Sequence, residues 1–161
     1  VPVATHRPAT LADATRLFEL RRKSILGLAP QGMSVADAEN WAANLTVHGM
    51  EQKLRTMDVW VAEIDGRAVG WGAVRGEKLE GLYTDPDFAC QGVGSGLLNR
   101  LEAQVRARAI RNMQAEASLN AEGFYLRRGY VPAGPRRGDV QPIAKRLACL
   151  EAKSSPCLTT S

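Results

Sequence analysis

A chain of 161 residues, 45% hydrophobic and 24% charged, has the length and composition of one ordinary globular domain. No apolar run approaches the ~20 residues that span a bilayer, no signal-peptide pattern opens the chain, and a net charge of +4 with no RNA-recognition or zinc-finger signature disfavours nucleic acid as a partner. Three cysteines at unrelated spacings (Cys90, Cys149, Cys157) and two histidines (His6, His48) argue against a disulfide framework or a metal site, and a reducing cytoplasm is the expected location.

Ala4 to Pro8 reads as a short first strand. Thr10 with Asp13 is a capping-box variant that opens a helix with Leu11, Ala14, Phe18 and Ile25 inward, and Ala29-Pro30-Gln31-Gly32 breaks it. Ser34 with Asp37 opens a second helix carrying Val35, Ala38, Trp41 and Leu45, and a short helical stretch is expected near Met50 to Arg55. Val59 to Ile64 and Ala68 to Val74 are strands joined by Asp65-Gly66, a two-residue hairpin signal. Trp60 and Trp71 fall on this hairpin, as core residues or as cleft walls. Lys78 to Thr84 is a third antiparallel strand.

The most informative stretch follows, after the turn pair Asp85-Pro86. Gln91-Gly92-Val93-Gly94-Ser95-Gly96 opens a helix with Leu97, Leu98, Leu101 and Val105 on one face. A strand, a loop of bare backbone and a helix N-terminus together form an anion site, because free N–H groups and the helix dipole meet where glycines allow close approach. The spacing rejects two common phosphate loops. Counting G-x-G-x-x-G from Gly92 puts Leu97 at the third glycine, and no Lys-Ser or Lys-Thr pair follows the glycines. Met113 to Ala117 supplies one further strand. Asn120 as N-cap and Gly129 as C′ residue bracket a helix of about two turns. Tyr130 to Pro132 and Ile143 to Leu147 read as a final strand pair, and residues 151–161 as a fraying polar tail.

Gln91, Gly94 and Gly96 form the pattern Q-x-x-G-x-G, and Asn120, Phe124-Tyr125 and Arg128-Gly129-Tyr130 follow it in order. Together these motifs resemble the GNAT superfamily, the acetyl-CoA-dependent N-acetyltransferases, over about residues 4 to 148. The resemblance implies a three-layer α/β (α+β) fold within a single acyltransferase domain, residues 1–150. Its mixed, mostly antiparallel sheet of about seven strands would be covered by helices on both faces and splayed at the strand before the glycine loop. It also implies acetyl-CoA as acyl donor, no metal, and a small-molecule or peptide amine that attacks directly in a ternary complex. Gln91, Gly92, Val93, Gly94, Ser95 and Gly96 would hold the pyrophosphate. Leu82, Tyr83 and Thr84 would offer backbone groups to the pantetheine arm and acyl carbonyl, with Asn120, Phe124 and Arg128 completing the cofactor site.

Tyr125 matches the family tyrosine that faces the cofactor sulfur. A phenol of pKa ~10 stays protonated at neutral pH and can protonate a thiolate, so Tyr125 is the candidate general acid. Glu80 is the candidate base, placed by the period of two on one strand face with Leu82 and Thr84; an ordered water is the alternative. Arg106, Arg108 and Arg111, Arg127 and Arg128, and Arg136 and Arg137 are either solvated ends or a basic rim for the extra phosphate of coenzyme A. His6 and His48 read as surface or packing residues, and Cys90 as loop filler. Leu26 through Leu54, with Trp41, and the loop Ala133 to Gln141 would shape the acceptor site. A non-catalytic acyl-CoA sensor and a basic nucleic-acid module are the alternatives to an enzyme, and a homodimer is left open.

Overall fold

A computed structural model describes residues 3–28 and 32–148. Strand β1 (Thr5–Pro8) leads through a 3-10 turn into α1 (Ala14–Leu28), α2 (Val35–Ala43) and α3 (Val47–Thr56). Then come β2 (Asp58–Ile64), β3 (Arg67–Arg75), β4 (Lys78–Thr84), α4 (Val93–Ala107), β5 (Asn112–Ser118), α5 (Glu122–Leu126), β6 (Val131–Pro132) and β7 (Val140–Arg146). The strands form one seven-stranded sheet in the order β1-β2-β3-β4-β5-β7-β6. All neighbours are antiparallel except β4 and β5, so this is the mixed, open sheet expected.

Local chemistry explains the elements. Asp65 and Gly66 both take positive φ (52° and 73°), the pair of left-handed residues a tight hairpin with native twist needs. Ser34 and Thr46 cap α2 and α3, accepting from the amides of Asp37 and Gly49. Thr10 and Asp13 form their capping box, but the box starts the 3-10 turn Leu11–Asp13. Leu11 therefore lies ahead of the α-helical phase and is exposed, while Leu17 and Leu20 take the inward positions. Val35, the first residue of α2, also faces out, and Leu45 lies past that helix's end. The expected break at Ala29 to Gln31 and the expected tail from residue 151 lie outside the described residues.

Core residues fill both faces of the sheet. On one face Leu98, Leu101 and Val105 of α4 meet Val74, Leu79, Met113 and Ile143. On the other, Leu17 and Leu20 of α1 and Met50 of α3 meet Val59, Val61 and Trp71. Trp71 is core rather than cleft wall: it is buried, and its Nε1 donates to the Leu17 carbonyl at 3.0 Å. Trp60 is covered by Arg100, whose guanidinium lies 3.9 Å from the ring centroid.

Two irregularities in the sheet shape the site. β4 and β5 share one pair, Lys78↔Gln114, and then part, whereas β5 stays paired with β7 along its whole length, from Asn112↔Arg146 to Ser118↔Val140. The sheet thus splays into two halves. The second irregularity is a bulge in β4: Ala73 pairs with Gly81 but Val74 pairs with Leu79, which leaves Glu80 without an opposite number.

Candidate active site: a cleft from the glycine loop through the splayed strands

The cleft begins at the N-terminus of α4. Gly92 sits there in the left-handed region (φ 81°, ψ 4°), and no side chain caps the helix. The first amide bonded within the helix is that of Gly96, to the Gly92 carbonyl at 2.9 Å. The amides of Val93, Gly94 and Ser95 are therefore the orphan donors of the first turn, reinforced by the dipole of a 15-residue helix. A cavity of about 340 Å³ lies against them, lined among others by Thr84, Cys90, Gly94, Ser95, Phe124 and Arg128. A Cβ on Gly94 would stand 3.5 Å from Thr84 Oγ1 and 3.6 Å from the Phe124 ring, so a longer side chain there would fill the space. Arg128 adds a fixed positive charge. Its Nε donates to Ser95 Oγ (2.8 Å), its Nη1 to the Phe124 carbonyl (2.8 Å), and its guanidinium stacks 3.8 Å from the Phe124 centroid.

Other members of the expected phosphate set are placed differently. Gln91 is exposed and does not line the cavity. Val93 is buried in the core, so only its amide is on offer. Gly96 turns away from the cavity: a Cβ there would stand 3.2 Å from the His6 ring. Its lack of a side chain admits that imidazole, whose buried Nε2 has no partner and whose pKa is lowered by burial and by the charge of Arg100. His6 is thus a packing histidine, seated on the first turn of α4. The basic rim also contracts. Arg106 and Arg108 lie at the far end of α4, about 20 Å from the glycine loop at 1.5 Å per residue, and bond to Ala148 and Asp58. Of these arginines, Arg127 and Arg128 alone line the cavity at the N-terminus of α4.

The cleft continues between β4 and β5. A cavity of about 210 Å³ is bounded by Ser24, Ile25 and Leu28 of α1, Trp41 of α2, Leu82 to Thr84 of β4, and Ser118, Asn120, Phe124 and Tyr125. Past the single bridge to β5, the outward amides and carbonyls of Leu82 to Thr84 have no ladder on that edge, so an extended group could pair there as a strand would. Asn120 is not the cap of α5; that position is Ala121, and α5 has only five residues. Asn120 instead accepts from Ser118 Oγ (2.7 Å) and donates to the Leu28 carbonyl (3.2 Å), tying the end of α1 to the start of α5 across the cleft. Gly129 ends the helix with φ 90°, as read from the sequence.

Tyr125 borders this cavity and the next, and it is 7% exposed. Its ring is held edge-on by Phe124 and Tyr130 at centroid distances of 5.1 and 5.4 Å. Burial, with a smaller contribution from Tyr83, raises its pKa well above the ordinary phenol value, and among the described residues no hydrogen bond holds the hydroxyl. It is a protonated donor facing the split in the sheet.

The third cavity, about 300 Å³, lies beyond Tyr125 and is lined by Trp41, Lys78, Glu80, Tyr83, Glu116, Ser118 and Val140 among others. The bulge sets the orientation of Glu80. It does not share a face with Leu82 and Thr84, as plain alternation predicts. It lies instead on the Tyr83 side of the sheet, where Arg75 Nη2 donates to Glu80 Oε1 at 3.0 Å and Lys53 of α3 senses its charge. Tyr83 contacts Trp71 at 4.9 Å and carries the buried Arg21 guanidinium 5.6 Å above its ring. Arg21 also donates to the carbonyls of Trp41 (3.3 Å) and Ala42 (3.2 Å), so one residue positions both aromatic walls, Trp41 and Tyr83. Ser24, Glu116 and Ser118 carry no local motif, and neither does Arg21 behind the aromatic walls; only the long-range packing of α1 and β5 brings the first three to the cleft.

Among the described residues no three or more His, Cys, Asp or Glu side chains gather as a metal site, and no helix is long and apolar enough to cross a membrane.

Comparison with known proteins agrees with this fold. Residues 28–139 match the family model of the acetyltransferase (GNAT) domain. The chain is 26% identical over 125 residues to the N-acetyltransferase YafP of Escherichia coli K12, covering 78% of this chain and 79% of that protein. It is 32% identical over 88 residues to the peptidyl-lysine N-acetyltransferase YjaB of Salmonella typhimurium, covering 54% of this chain and 58% of that one. A crystal structure of a GCN5-related N-acetyltransferase from Rhodopseudomonas palustris superposes with a TM-score of 0.85 at 27% identity, over 91% of this chain and 98% of its own. The PaiA N-acetyltransferase of Thermoplasma acidophilum, solved with coenzyme A, shares the fold with a TM-score of 0.78 at 18% identity, over 89% and 98% of the two chains.

Proposed function

Because the chain belongs to the GNAT acetyltransferase family, we propose that it moves an acetyl group from acetyl-CoA to a primary amine by direct attack in a ternary complex. One observation carries this reading: the orphan amides of the α4 N-terminus border one cavity, the unpaired edge of β4 and the phenol of Tyr125 border the next, and the two cavities share Thr84, Gly94, Asn120 and Phe124 in their walls. Anion site, strand-like edge and protonated donor are what a phosphorylated thioester donor requires, in that order along its length.

Acetyl-CoA would supply the activated acyl group and a thiolate leaving group. The amides of Val93, Gly94 and Ser95 with Arg128 would hold its phosphates, Leu82 to Thr84 its extended arm, and Phe124 and Asn120 the wall between. An outward amide of β4 would stabilise the charge that develops on the acyl oxygen, an effect of about 3 kcal/mol per donor in such sites. Tyr125, kept protonated by its raised pKa, would donate a hydrogen bond to the sulfur as the C–S bond breaks and so stabilise the departing thiolate; a thiol of pKa ~8.5 is the stronger acid of the two, so the thiolate can leave without taking the phenol's proton outright. Glu80, on the acceptor side of the split, would take the amine's proton directly or through water, once Arg75 swings aside.

The test is release of free thiol from acetyl-CoA on addition of amines. Acceptor-dependent release supports the enzyme. Tight binding of acetyl-CoA with no release for any amine would instead favour a sensor of the same fold.

A further inference from the structure

We propose that the acceptor carries a second cationic group, and that Glu116 of β5 binds it while the reacting amine sits at Glu80. This inference rests on the acetyl-transfer reading and names its acceptor chemistry: an alkylamine with two positive charges separated by a few methylenes.

The sheet register carries the argument. Lys78 and Gln114 form the last bridge between β4 and β5. Glu80 and Glu116 each lie two residues beyond it, one on each lip of the opening. They face the same side. Glu116 alternates with Ala115 and Ala117, which are buried toward α4, and the bulge turns Glu80 to that same outer side. Both line the 300 Å³ cavity, whose other walls include the rings of Trp41, Tyr83 and Tyr125. Aromatic faces and carboxylates around one space favour alkylammonium groups, which pair with the carboxylates and rest their charge on the rings. Tyr125, nine-tenths buried with a hydroxyl that bonds to none of the described residues, marks where the reacting end lies.

Each carboxylate is already paired from the rim, Glu80 by Arg75 (3.0 Å) and Glu116 by Arg137 (3.1 Å). Those arginine side chains are 62% and 70% exposed. Exposed pairs of this kind contribute little, so a substrate cation can replace either guanidinium at small cost. The wall holds one ammonium of its own, Lys78, beside the last bridge, against two carboxylates. A single-charge amine would leave Glu116 to Arg137, and a carboxylate-bearing amino acid would place its acid against Glu116.

The experiment measures acetyl transfer to n-butylamine and to the butane diamine of the same length. Wild type should show a KM about tenfold lower or more for the diamine, the worth of one charge-assisted contact. Glu116→Gln should remove that gap with kcat little changed, and Arg137→Ala should widen it by freeing Glu116. A merely structural role for Glu116 would move both amines together. A parallel arm compares blocked Lys-Arg and Lys-Leu dipeptides. Preference confined to the diamine marks a free metabolite as the source, and preference for Lys-Arg a basic peptide. Equal KM values for the two butylamines, or a gap that survives Glu116→Gln, overturns the proposal. If no amine is acetylated, calorimetry of butane diamine with the coenzyme A-loaded protein separates the two readings. Binding weakened about tenfold by Glu116→Gln keeps the dicationic site without acetyl transfer, and no binding overturns it.

Discussion

Arg128 Nε donates to Ser95 Oγ at 2.8 Å, joining the exit of α5 to the first turn of α4 beside the cavity at that helix's N-terminus. The bond holds a guanidinium next to three orphan amides, so in the proposed complex cation and helix dipole would act on the same phosphate. Arg128→Ala should weaken acetyl-CoA binding about tenfold to a hundredfold, the range for a lost charged hydrogen bond. Calorimetry checks it, and an unchanged Kd would remove Arg128 from the cofactor site.

The two glycines of the loop should respond differently. Gly94 faces the cavity, so Gly94→Asp should abolish detectable acetyl-CoA binding with little change in Tm, by filling the site and repelling phosphate. Gly96 faces His6, so Gly96→Asp should lower stability by about 2 kcal/mol through crowding the buried ring. Denaturation and binding curves on both variants separate the roles. A folded Gly96→Asp with normal Tm would show that His6 moves aside freely.

These glycines illustrate what the sequence discloses. The strand–loop–helix order, the Asp65-Gly66 hairpin and the end of α5 at Gly129 were legible because each depends on local backbone chemistry. Gly94 and Gly96 were indistinguishable, since their neighbours Phe124 and His6 come from distant segments. Asn120 was read as a cap because its type prefers that place, but the Leu28 carbonyl, 92 residues away, takes its amide. Glu80 was assigned a face by alternation. A bulge leaves no mark in Lys78-Leu79-Glu80-Gly81, and one inserted residue reverses the side.

Two buried phenols should make the protein sensitive to alkali. Burial raises the pKa of Tyr125, and burial with the charge of Glu102 raises that of Tyr130, whose hydroxyl donates to Glu102 Oε1 at 3.0 Å. Raised folded values mean that the native state holds these protons more tightly than the unfolded chain does. Their contribution is therefore complete below pH ~10 and is lost as pH rises above it. Urea unfolding from pH 8 to 11 should show stability falling above about pH 10, and Tyr130→Phe should flatten the fall. An identical slope in that variant would contradict the assignment.

Glu80 should matter in proportion to the basicity of the acceptor. Making a lysine-like amine neutral at pH 7 costs about 4.6 kcal/mol, and an α-amine about 1 kcal/mol. Glu80→Gln should therefore depress turnover about a hundredfold for alkylamines near neutrality, less for α-amines, with partial recovery as pH rises. Small, equal losses for both classes across pH would leave water as the proton acceptor and Glu80 as a partner of Arg75.

The most direct measurement is single-turnover acetyl transfer by wild type and Tyr125→Phe, with thiol and acetylated amine both quantified. Wild type should release one thiol for each amine acetylated. Tyr125→Phe should be slower by about a hundredfold or more with acetyl-CoA affinity unchanged, as expected for loss of a general acid. Thiol release without acetylated amine, or full activity in Tyr125→Phe, would contradict transfer through this cleft.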